Sequence, residues 1–525
     1  MTRSLLFSLI GKTTTLRAAG PLCALSLIGG LLALILGLRP GGPRRPASPQ
    51  APIEAFSDRL NDRVPALLAH YDVPGAAVSL IQDGTQAWTG TYGLADRDPR
   101  RAVTPETIFR VGSISKSVTA WGVMRLVAQG KLRLHDPVEM HLDEWALPAS
   151  PFAADQVTIR RLLTHTAGLP SGFYPQLPPG ESPPPLVEVL SPRTMGPTAR
   201  PQQTPGSSFR YSNAGFALLE LLLEDVGGQA FEAYMRDSVL APLGMTDASF
   251  RRTEAVQSRV ATGHLVDGRP SSPFVDAVKA PGGLYASIGD VARFVAAGIS
   301  GMQGEPPGST VLPRETVRRL YAPTVATRGL VGLAAGAYGL GHFVETLPDG
   351  QRAISHGGQH TGWIVHFHFL PEAGTGIVVL TNSERGMPLI ADILGAWTDW
   401  QGVPGVGLHR AFTWVKFAGW GLLLCLWLGA AWGAWRIGGA WLRGTRTLAP
   451  FSGRRRWARA LWVLVAGLLA VGLWSGRDWE VLGVFMPVLS RRLGIALGAW
   501  GALLLLAALL PSRYGTPGNS ARESG

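Results

Sequence analysis

Cysteine is nearly absent from this sequence, since Cys23 and Cys425 are the only two in 525 residues. Both lie inside apolar stretches near the ends of the chain, so the long segment between them carries no thiol. A disulfide framework and a thiolate metal site are therefore excluded from that segment. The sequence also lacks the His-Glu-x-x-His pattern of a zinc hydrolase, and we expect no metal.

Charged residues are few as well, at 16% of the sequence, yet the formal net charge is +12. A basic excess of this kind is one feature of nucleic-acid-binding proteins. Here much of the excess flanks apolar runs, at Arg436, Arg443, Arg446, Arg454, Arg455 and Arg456. Basic residues on the cytoplasmic side of membrane segments explain this pattern, so we predict no nucleic-acid partner.

Long apolar runs are confined to the two ends of the chain. Residues 20–38 are uncharged and mostly apolar, close to the length that crosses a bilayer, and three basic residues precede them. We predict an uncleaved membrane anchor with the N-terminus inside; a cleaved signal peptide is the alternative. Residues 40–52 are proline-rich and predict a stiff linker, which completes an N-terminal region over 1–52.

The C-terminal region, residues 411–525, contains apolar runs of spanning or near-spanning length at 417–435, 458–474 and 493–510. The arginine-rich segment 436–457 fits the cytoplasm. Four crossings then place residues 53–410 outside and both termini inside. We expect a multi-pass protein of a bacterial-type cytoplasmic membrane, in contact with lipid, whose middle domain faces the periplasm. The weakest run is alternatively a re-entrant or peripheral helix.

Residues 53–410 have the patterns of one folded domain of the α/β class. The spacing predicts helices at 53–71, 217–226, 230–240 and 388–400, and strands at 75–82, 85–94, 352–355, 363–370 and 374–382. Asp83-Gly84 is a hairpin signal between the first two strands. Strands at both ends predict one antiparallel sheet, with the helical middle as an insertion.

The first chemical motif is Ser113-Ile-Ser-Lys116 at the start of a predicted helix. Gly112 allows a tight turn before it, and Lys116 lies three residues on, on the same face as Ser113. A buried lysine can lose its proton and act as the base for a serine nucleophile, while the helix N-terminus favours an oxyanion. Ser113 is the candidate nucleophile and Lys116 its base. Taken alone, the motif is also typical of a serine cap.

The second motif is Tyr211-Ser212-Asn213. A tyrosine near a lysine ammonium can be held partly as phenolate and relay the serine proton. The amide of Asn213 can orient Lys116 and a substrate carbonyl. The alternative is a turn tyrosine followed by an asparagine cap of the next helix.

The third motif is His356-Gly357-Gly358-Gln359, at the end of a strand candidate. Glycine there lets a substrate backbone approach, and the N–H of Gln359 can hold an oxyanion beside that of Ser113. His356 is the candidate cationic or hydrogen-bonding group. The alternative is a strand-end bulge with a surface histidine.

Together, in this order, the motifs resemble the class C β-lactamase-related serine hydrolases, whose second motif carries a tyrosine. The resemblance covers about residues 53–400 and extends to four flanking stretches, at 73–78, 162–169, 242–245 and 282–287. That family includes D-alanyl-D-alanine carboxypeptidases, penicillin-binding proteins, D-amino-acid peptidases and esterases. The resemblance implies a β-lactamase/transpeptidase-like fold and a structural role for His165.

The resemblance also implies the reaction. Ser113 would attack an ester or amide carbonyl, with Lys116 and Tyr211 sharing the proton transfers and no metal or organic cofactor. Asn213, His356, Gly358 and Gln359 would bind the substrate and the oxyanion. The substrate would be a small molecule or peptide, cell-wall peptides included.

One departure bears on the substrate. The third motif is His-Gly-Gly, whereas the lysine and threonine of Lys-Thr-Gly help β-lactamases and D,D-peptidases bind the substrate carboxylate. Gly357 has no hydroxyl, which weakens the case for β-lactam hydrolysis and leaves ester, peptide and amide substrates open. The proline-rich segment 170–206 is too long for a simple connector, and we expect it to close over the substrate.

Two non-enzymatic functions remain as alternatives. One is a penicillin-binding sensor that signals through its membrane helices, and the other is a non-catalytic scaffold of the cell envelope. The intact set of Ser113, Lys116 and Tyr211 favours the enzyme, because a scaffold has no need of these residues together.

Overall fold

The computed structural model describes residues 52–143, 145–191, 198–446 and 487–510, with isolated positions at 461, 463–465 and 467. Its described residues divide into two compact units, the first ending at Phe412 and the second beginning at Thr413. The predicted anchor at 20–38, nearly all of the linker and most of the run at 458–474 lie outside the described residues.

The helices of the first unit are α1 (Ile53–Tyr71), α2 (Ile114–Ala128), α3 (Ile159–Leu163), α4 (Leu186–Val189), α5 (Asn213–Gly227), α6 (Phe231–Met235), α7 (Glu254–Gln257), α8 (Ile288–Gln303), α9 (Gly308–Val311), α10 (Arg314–Leu320), α11 (Gly329–Ala334) and α12 (Gly386–Gln401). Short 3-10 turns lie at Val138–His141 and Ala154–Gln156, and a π-helical turn at Arg236–Leu240 extends α6.

Its strands are β1 (Gly75–Gln82), β2 (Thr85–Asp96), β3 (Arg101–Ala102), β4 (Ile108–Arg110), β5 (Gln176–Leu177), β6 (Val275–Asp276), β7 (Tyr285–Ser287), β8 (Val325–Ala326), β9 (Ala337–Tyr338), β10 (Phe343–Thr346), β11 (Arg352–His360), β12 (Trp363–Leu370) and β13 (Thr375–Thr381).

Nine of these strands form one antiparallel sheet in the order β3-β2-β1-β13-β12-β11-β10-β9-β8. The first and last strands of the unit meet at its centre, where Val78 of β1 pairs with Val379 of β13. The predicted antiparallel sheet built from both ends of the domain is therefore confirmed. The sequence did not indicate β3, β8, β9 or β10, because strands of two to four residues are too short to show alternation.

Both faces of the sheet are covered, which explains why β12 and β13 are buried along their whole lengths. Side chains alternate between the faces of a strand. A Cβ on Gly376 would meet Val295 of α8, whereas Thr381, on the opposite face, contacts Gly386 of α12. Helix α8 thus covers one face, and α12 packs on the other together with α1.

The helical insertion lies between β4 and β7, and two of its helices carry motif residues. Helix α2 is buried on nearly all sides rather than on one stripe, and α5 packs beside it. The structure extends the predicted helix at 217–226 to Asn213–Gly227 and ends the α-helical part of 230–240 at Met235, where the π-helical turn begins.

The predicted end of the strand at 355 is wrong, because β11 continues to His360. Gly357 and Gly358 stay in register with His366 and Val365 of β12, so the third motif lies within a continuous ladder. The strand-end bulge, the structural alternative for this motif, is therefore also wrong.

Two apolar helices lie beyond α12, α13 (Gly407–Leu442) and α14 (Pro487–Leu509). In the described part of the chain, Gly407–Leu442 and Arg492–Leu509 are long and apolar enough to cross a membrane. This observation rests on length and composition alone, and two such helices are a weak indication of a membrane protein.

We predict that Asn382, which follows β13, stabilises the first unit by tying its two ends together through hydrogen bonds. Its buried side chain accepts from Gly75 N (2.9 Å) and donates to the carbonyls of Leu94, Ala95 and Thr262 (3.1, 3.1 and 3.0 Å). Asn382→Ala leaves these groups without their partner, and we expect it to lower the free energy of unfolding by about 3–5 kcal/mol.

The measurement is urea unfolding followed by tryptophan fluorescence. Asn61→Ala is the matched control, since Asn61 accepts a hydrogen bond from Tyr92 at the surface. The control should change the free energy of unfolding by no more than about 0.5 kcal/mol. Equal effects of the two substitutions would contradict the proposed tie.

Candidate active site

The first and third motifs meet through two glycines. Gly112 precedes Ser113 with φ +49°, and a Cβ there would lie 2.7 Å from Gln359 O. A Cβ on Gly358 would lie 2.0 Å from Val111 O. Both distances are far below van der Waals contact, so only glycine fits at either position. Gly358 therefore makes room for the protein's own backbone rather than for the substrate backbone that we expected there.

Lys116 is fully buried on α2. Its Nζ lies within hydrogen-bond distance of Ser113 Oγ (3.0 Å) and donates to Pro281 O (2.7 Å). None of the ion pairs found in the described ranges includes Lys116. Burial lowers the pKa of this amine well below its ordinary value, because an ammonium loses its hydration there. The free amine is thus favoured within hydrogen-bond distance of the candidate nucleophile.

Tyr211 completes the group around Ser113. Its hydroxyl shares a hydrogen bond with Ser113, and Lys116 Nζ lies 4.8 Å from its ring centroid. Burial raises the pKa of Tyr211 above its ordinary value, which is opposite to the phenolate that we expected. The reason is that a lysine biased toward the free amine offers little positive charge to hold a phenolate. Tyr211 is therefore present as a phenol, which can donate a proton.

Asn213 lies at the first position of α5, beside the substrate cavity described below. Its amide donates to Gly172 O (2.6 Å), and the described contacts contain no hydrogen bond from it to Lys116. The alternative that Asn213 caps the helix is wrong as well. Ser212 is the cap, since its Oγ accepts from Gly215 N (3.2 Å).

His356 is neither a cation nor a surface residue. Its Nδ1 donates to Gly357 O (2.7 Å), so Nε2 is left to accept from the Tyr338 hydroxyl (3.2 Å). Burial lowers the pKa of His356 well below its ordinary value, and the imidazole is neutral. Its ring centroid lies 6.4 Å from that of Tyr211, and His356 is not among the residues that line the cavity.

The ring of His165 packs against the ring of Tyr211, and their centroids are 4.3 Å apart. Its Nδ1 accepts from Ser212 N (3.1 Å), so the ring holds the second motif from its buried side. The residue has φ +56°, a left-handed conformation that is uncommon outside glycine. This geometry gives His165 a supporting position, without a contact to the Ser113 hydroxyl among the described hydrogen bonds.

A cavity of about 450 Å³ opens in front of Ser113. Residues 173–176 and 276–278 form two of its walls, and Gln359 and Asn213 also line it. Strand β5 pairs with β6, with Gln176 opposite Asp276. The start of the proline-rich segment 170–206 therefore lies against the cavity. This is the segment that we expected to close over a substrate.

The charges that line this cavity are carboxylates, Asp276 and Glu384, and no lysine or arginine of the described residues lines it. Asp276 is paired with the buried guanidinium of Arg110 and with His360 Nε2 (3.1 Å). Burial alone would raise the pKa of Asp276, but Arg110 and His360 hold it below its ordinary value. Arg110 lies under the ring of Phe274, 4.1 Å from its centroid, and is not exposed to a ligand.

Sequence reasoning missed several residues that build this site, namely Arg110, Asp276, Pro281, Tyr338 and His360. Arg110 and Pro281 lie close to the first motif and to the stretch at 282–287, but no local sequence pattern shows which side chains they contact. In the described ranges we find no group of three or more metal-ligating side chains that could hold a metal ion.

We predict that Lys116→Arg lowers kcat/KM by about 10³-fold at every pH, because arginine stays charged and cannot accept the serine proton. In the native protein, kcat/KM should rise as the Lys116 ammonium deprotonates and reach its plateau well below pH 10.5, the ordinary lysine value. The measurement is a pH profile of ester hydrolysis.

Lys131→Arg is the matched control, because Lys131 is exposed just beyond the end of α2. Its profile should superimpose on that of the native protein. Retention of full activity by Lys116→Arg would exclude Lys116 as the base.

The sequence profile of the β-lactamase family matches residues 60–394. The chain is 28% identical over 342 residues to penicillin-binding protein 4 of Amycolatopsis lactamdurans, covering 63% of this chain and 87% of that protein. It is 26% identical over 314 residues to protein flp of Staphylococcus aureus, and there the match spans only 60% of the relative's length and 59% of this chain.

Solved structures share the fold. The octameric penicillin-binding protein homologue from Pyrococcus abyssi matches with a TM-score of 0.55 and 27% identity, covering 66% of this chain and 78% of that one. D-alanine carboxypeptidase AmpC from Burkholderia cenocepacia matches with a TM-score of 0.51 and 23% identity, covering 63% of this chain and 95% of that one. At 23% identity, this second match shows only that the fold is shared.

Proposed function

Because the chain belongs to the β-lactamase family, we propose that it is a membrane-anchored, extracytoplasmic serine hydrolase that cleaves an ester or amide through an acyl-enzyme at Ser113. The observation that carries this proposal is the 3.0 Å contact between Ser113 Oγ and the buried amine of Lys116. A buried lysine without a carboxylate partner lowers the stability of the folded protein. A role as general base explains why the residue is present despite this cost.

The proton transfers follow from these contacts. Lys116 Nζ takes the hydroxyl proton as Ser113 Oγ bonds to the substrate carbonyl carbon, and the N–H groups of Ser113 and Gln359 hold the oxyanion. When the tetrahedral intermediate collapses, the bond to the leaving group breaks. The leaving group takes its proton from the Tyr211 hydroxyl, which regains one from Lys116. Water then attacks the acyl-enzyme by the reverse sequence of transfers and releases Ser113.

The cavity supports substrates that carry no carboxylate beside the scissile bond. Its charged lining residues are acidic, and the guanidinium of Arg110 is already paired with one of them, Asp276. His356 is neutral and Gly357 has no hydroxyl, so neither replaces the carboxylate contacts of a Lys-Thr-Gly motif. We therefore propose neutral esters and amides, including D-amino-acid peptides whose carboxylate is blocked or remote. A penicillin-binding sensor and a non-catalytic scaffold are the alternatives.

Labelling of the purified protein with a fluorophosphonate decides between enzyme and scaffold. Intact mass should show one adduct on the native protein and none on Ser113→Ala. That variant should lose ester hydrolysis by about 10⁴-fold or more, because it removes the hydroxyl that lies 3.0 Å from Lys116 Nζ. A folded native protein without an adduct would favour the scaffold.

The same pair of proteins decides the substrate class. The penicillin carboxylate would lack the two charge-assisted contacts that the lysine and threonine of a Lys-Thr-Gly motif provide, each about 1.5–3 kcal/mol. We therefore predict that kcat/KM for a p-nitrophenyl ester exceeds that for a penicillin by at least about 100-fold. A penicillin that acylates Ser113 faster than the ester would instead favour the sensor.

We also propose that the protein crosses the cytoplasmic membrane and holds the hydrolase unit outside. Helix α13 supports this, because large apolar side chains are exposed along it (Phe417 68%, Leu428 62% and Trp435 70%) and arginines follow at 436 and 443. Exposed apolar surface on this scale needs a cover, and a lipid bilayer is one that fits a 36-residue helix.

We predict that the protein stays in the membrane fraction after an alkaline carbonate wash. A single cysteine at Asp349, an exposed turn position, should react with a membrane-impermeant maleimide in intact spheroplasts. The background lacks Cys23 and Cys425. A cysteine at Arg446, within the predicted inside segment 436–457, is the control that should react only after lysis. The opposite pattern would reverse the proposed orientation.

A further inference from the structure

A buried carboxyl on α5 contacts the loop that holds the candidate base. Glu220 Oε2 accepts from two consecutive backbone N–H groups, those of Lys279 (2.7 Å) and Ala280 (2.6 Å). The next carbonyl in this loop, Pro281 O, accepts from Lys116 Nζ (2.7 Å). One side chain thus fixes two of the three peptide groups that precede the acceptor of the Lys116 amine.

The rest of the loop is tight and is tied to its surroundings at other points. Gly282 N and Gly283 N both donate to Lys279 O (3.1 and 2.7 Å), which closes a turn around Pro281. On the opposite side, Thr119 of α2 donates through Oγ1 to Ala280 O (3.3 Å). Glu220 binds N–H groups of this turn, and Thr119 binds one of its carbonyl groups.

We propose that Glu220 is a positioning residue, which holds the Lys279–Pro281 backbone so that the Pro281 carbonyl directs the Lys116 amine at Ser113. The inference rests on the proposed hydrolase function. An amine whose N–H is donated to Pro281 O is restricted in rotation, and its lone pair stays available on the side of Ser113 Oγ. A misplacement of about 1 Å in such a group lowers turnover by about 100-fold.

The surroundings of Glu220 make it an unexpected residue at this place. It is 3% exposed within the apolar run Leu218-Leu-Glu-Leu-Leu-Leu223, where leucine would be less costly to bury. Lys279 and Glu224 are the charged groups that act on it, and Tyr174 lies near enough to feel its charge. Burial raises the pKa of Glu220 to about 8, so near neutral pH the group is mostly the neutral acid.

Because one oxygen accepts both N–H bonds, glutamine can replace the acid without loss of either bond. Glu220→Gln should keep kcat for a p-nitrophenyl ester within about threefold at pH 7. Glu220→Ala should lower kcat by about 30- to 100-fold with KM within about threefold, because the cavity walls do not include Glu220. Thr119→Val should lower kcat less, because it removes one longer bond.

The readout is kcat per active site, with sites titrated by fluorophosphonate on the full-length protein. A residue that only stabilises the fold would lower the number of sites and leave kcat per site unchanged. In Glu220→Ala the acid limb of the pH profile should also move to lower pH, since the Lys116 ammonium loses its carbonyl acceptor.

Two control variants match these changes. Glu224→Ala removes a carboxylate one turn along α5 that accepts from Phe231 N (3.0 Å), away from the loop. Ser117→Ala removes a buried hydroxyl on α2 that donates to Gly341 O (2.8 Å). Each should keep kcat per site within about twofold.

Unchanged kcat per site in Glu220→Ala would overturn the proposal, and so would a 30-fold loss in Glu220→Gln. If Glu220→Ala does not fold, kcat per site of Glu220→Gln and of Thr119→Val tests the proposal in its place. Crystal structures separate this inference from the function on which it rests. Should the native protein prove unreactive to fluorophosphonate, a Lys116 Nζ–Pro281 O distance that lengthens in Glu220→Ala still supports the positioning role, and an unchanged distance overturns it.

Discussion

The site depends on the contact between the β11 backbone and the turn that begins α2. Gly112 and Gly358 allow this contact, because a Cβ at either position would overlap a main-chain atom of the other segment. The turn then brings Ser113 beside Gln359, and the first turn of α2 places Lys116 next to Ser113. Since α2 belongs to the helical insertion and β11 to the sheet, this one approach joins the two parts of the domain at the candidate site.

Burial of the site explains its electrostatics. The side chains around Ser113 lie in an interior with few compensating charges, and so Lys116, Tyr211, His165 and His356 all favour their neutral forms. A neutral amine and a neutral phenol can pass a proton without separating charge beforehand. Any charge that develops during acylation would then appear where the backbone N–H groups can meet it.

Much of this could be predicted from the sequence, because the signals are local. The order Ser113-Lys116, Tyr211-Asn213 and His356-Gln359 can be read from short motifs, and the antiparallel sheet from period-2 runs at both ends. The protonation states could not be predicted, because they depend on partners distant in sequence. Tyr338 meets His356 only after β9, β10 and β11 have paired. Glu220 did leave a signal, as an acid within an apolar helical run, but its purpose depends on a loop some sixty residues away.

Burial also underlies the proposed preference for substrates without a carboxylate. Arg110 is paired with the lining residue Asp276, but its guanidinium is enclosed by Phe274 and Tyr285 and also donates to Phe274 O. Its charge therefore holds β4 to β6, and through the β5–β6 pair it supports the wall formed by residues 173–176. Freeing the guanidinium for a ligand would leave Asp276 buried without its partner, which is costly. The ion pair that shapes the wall is thus also the reason that the wall offers no cation to a substrate.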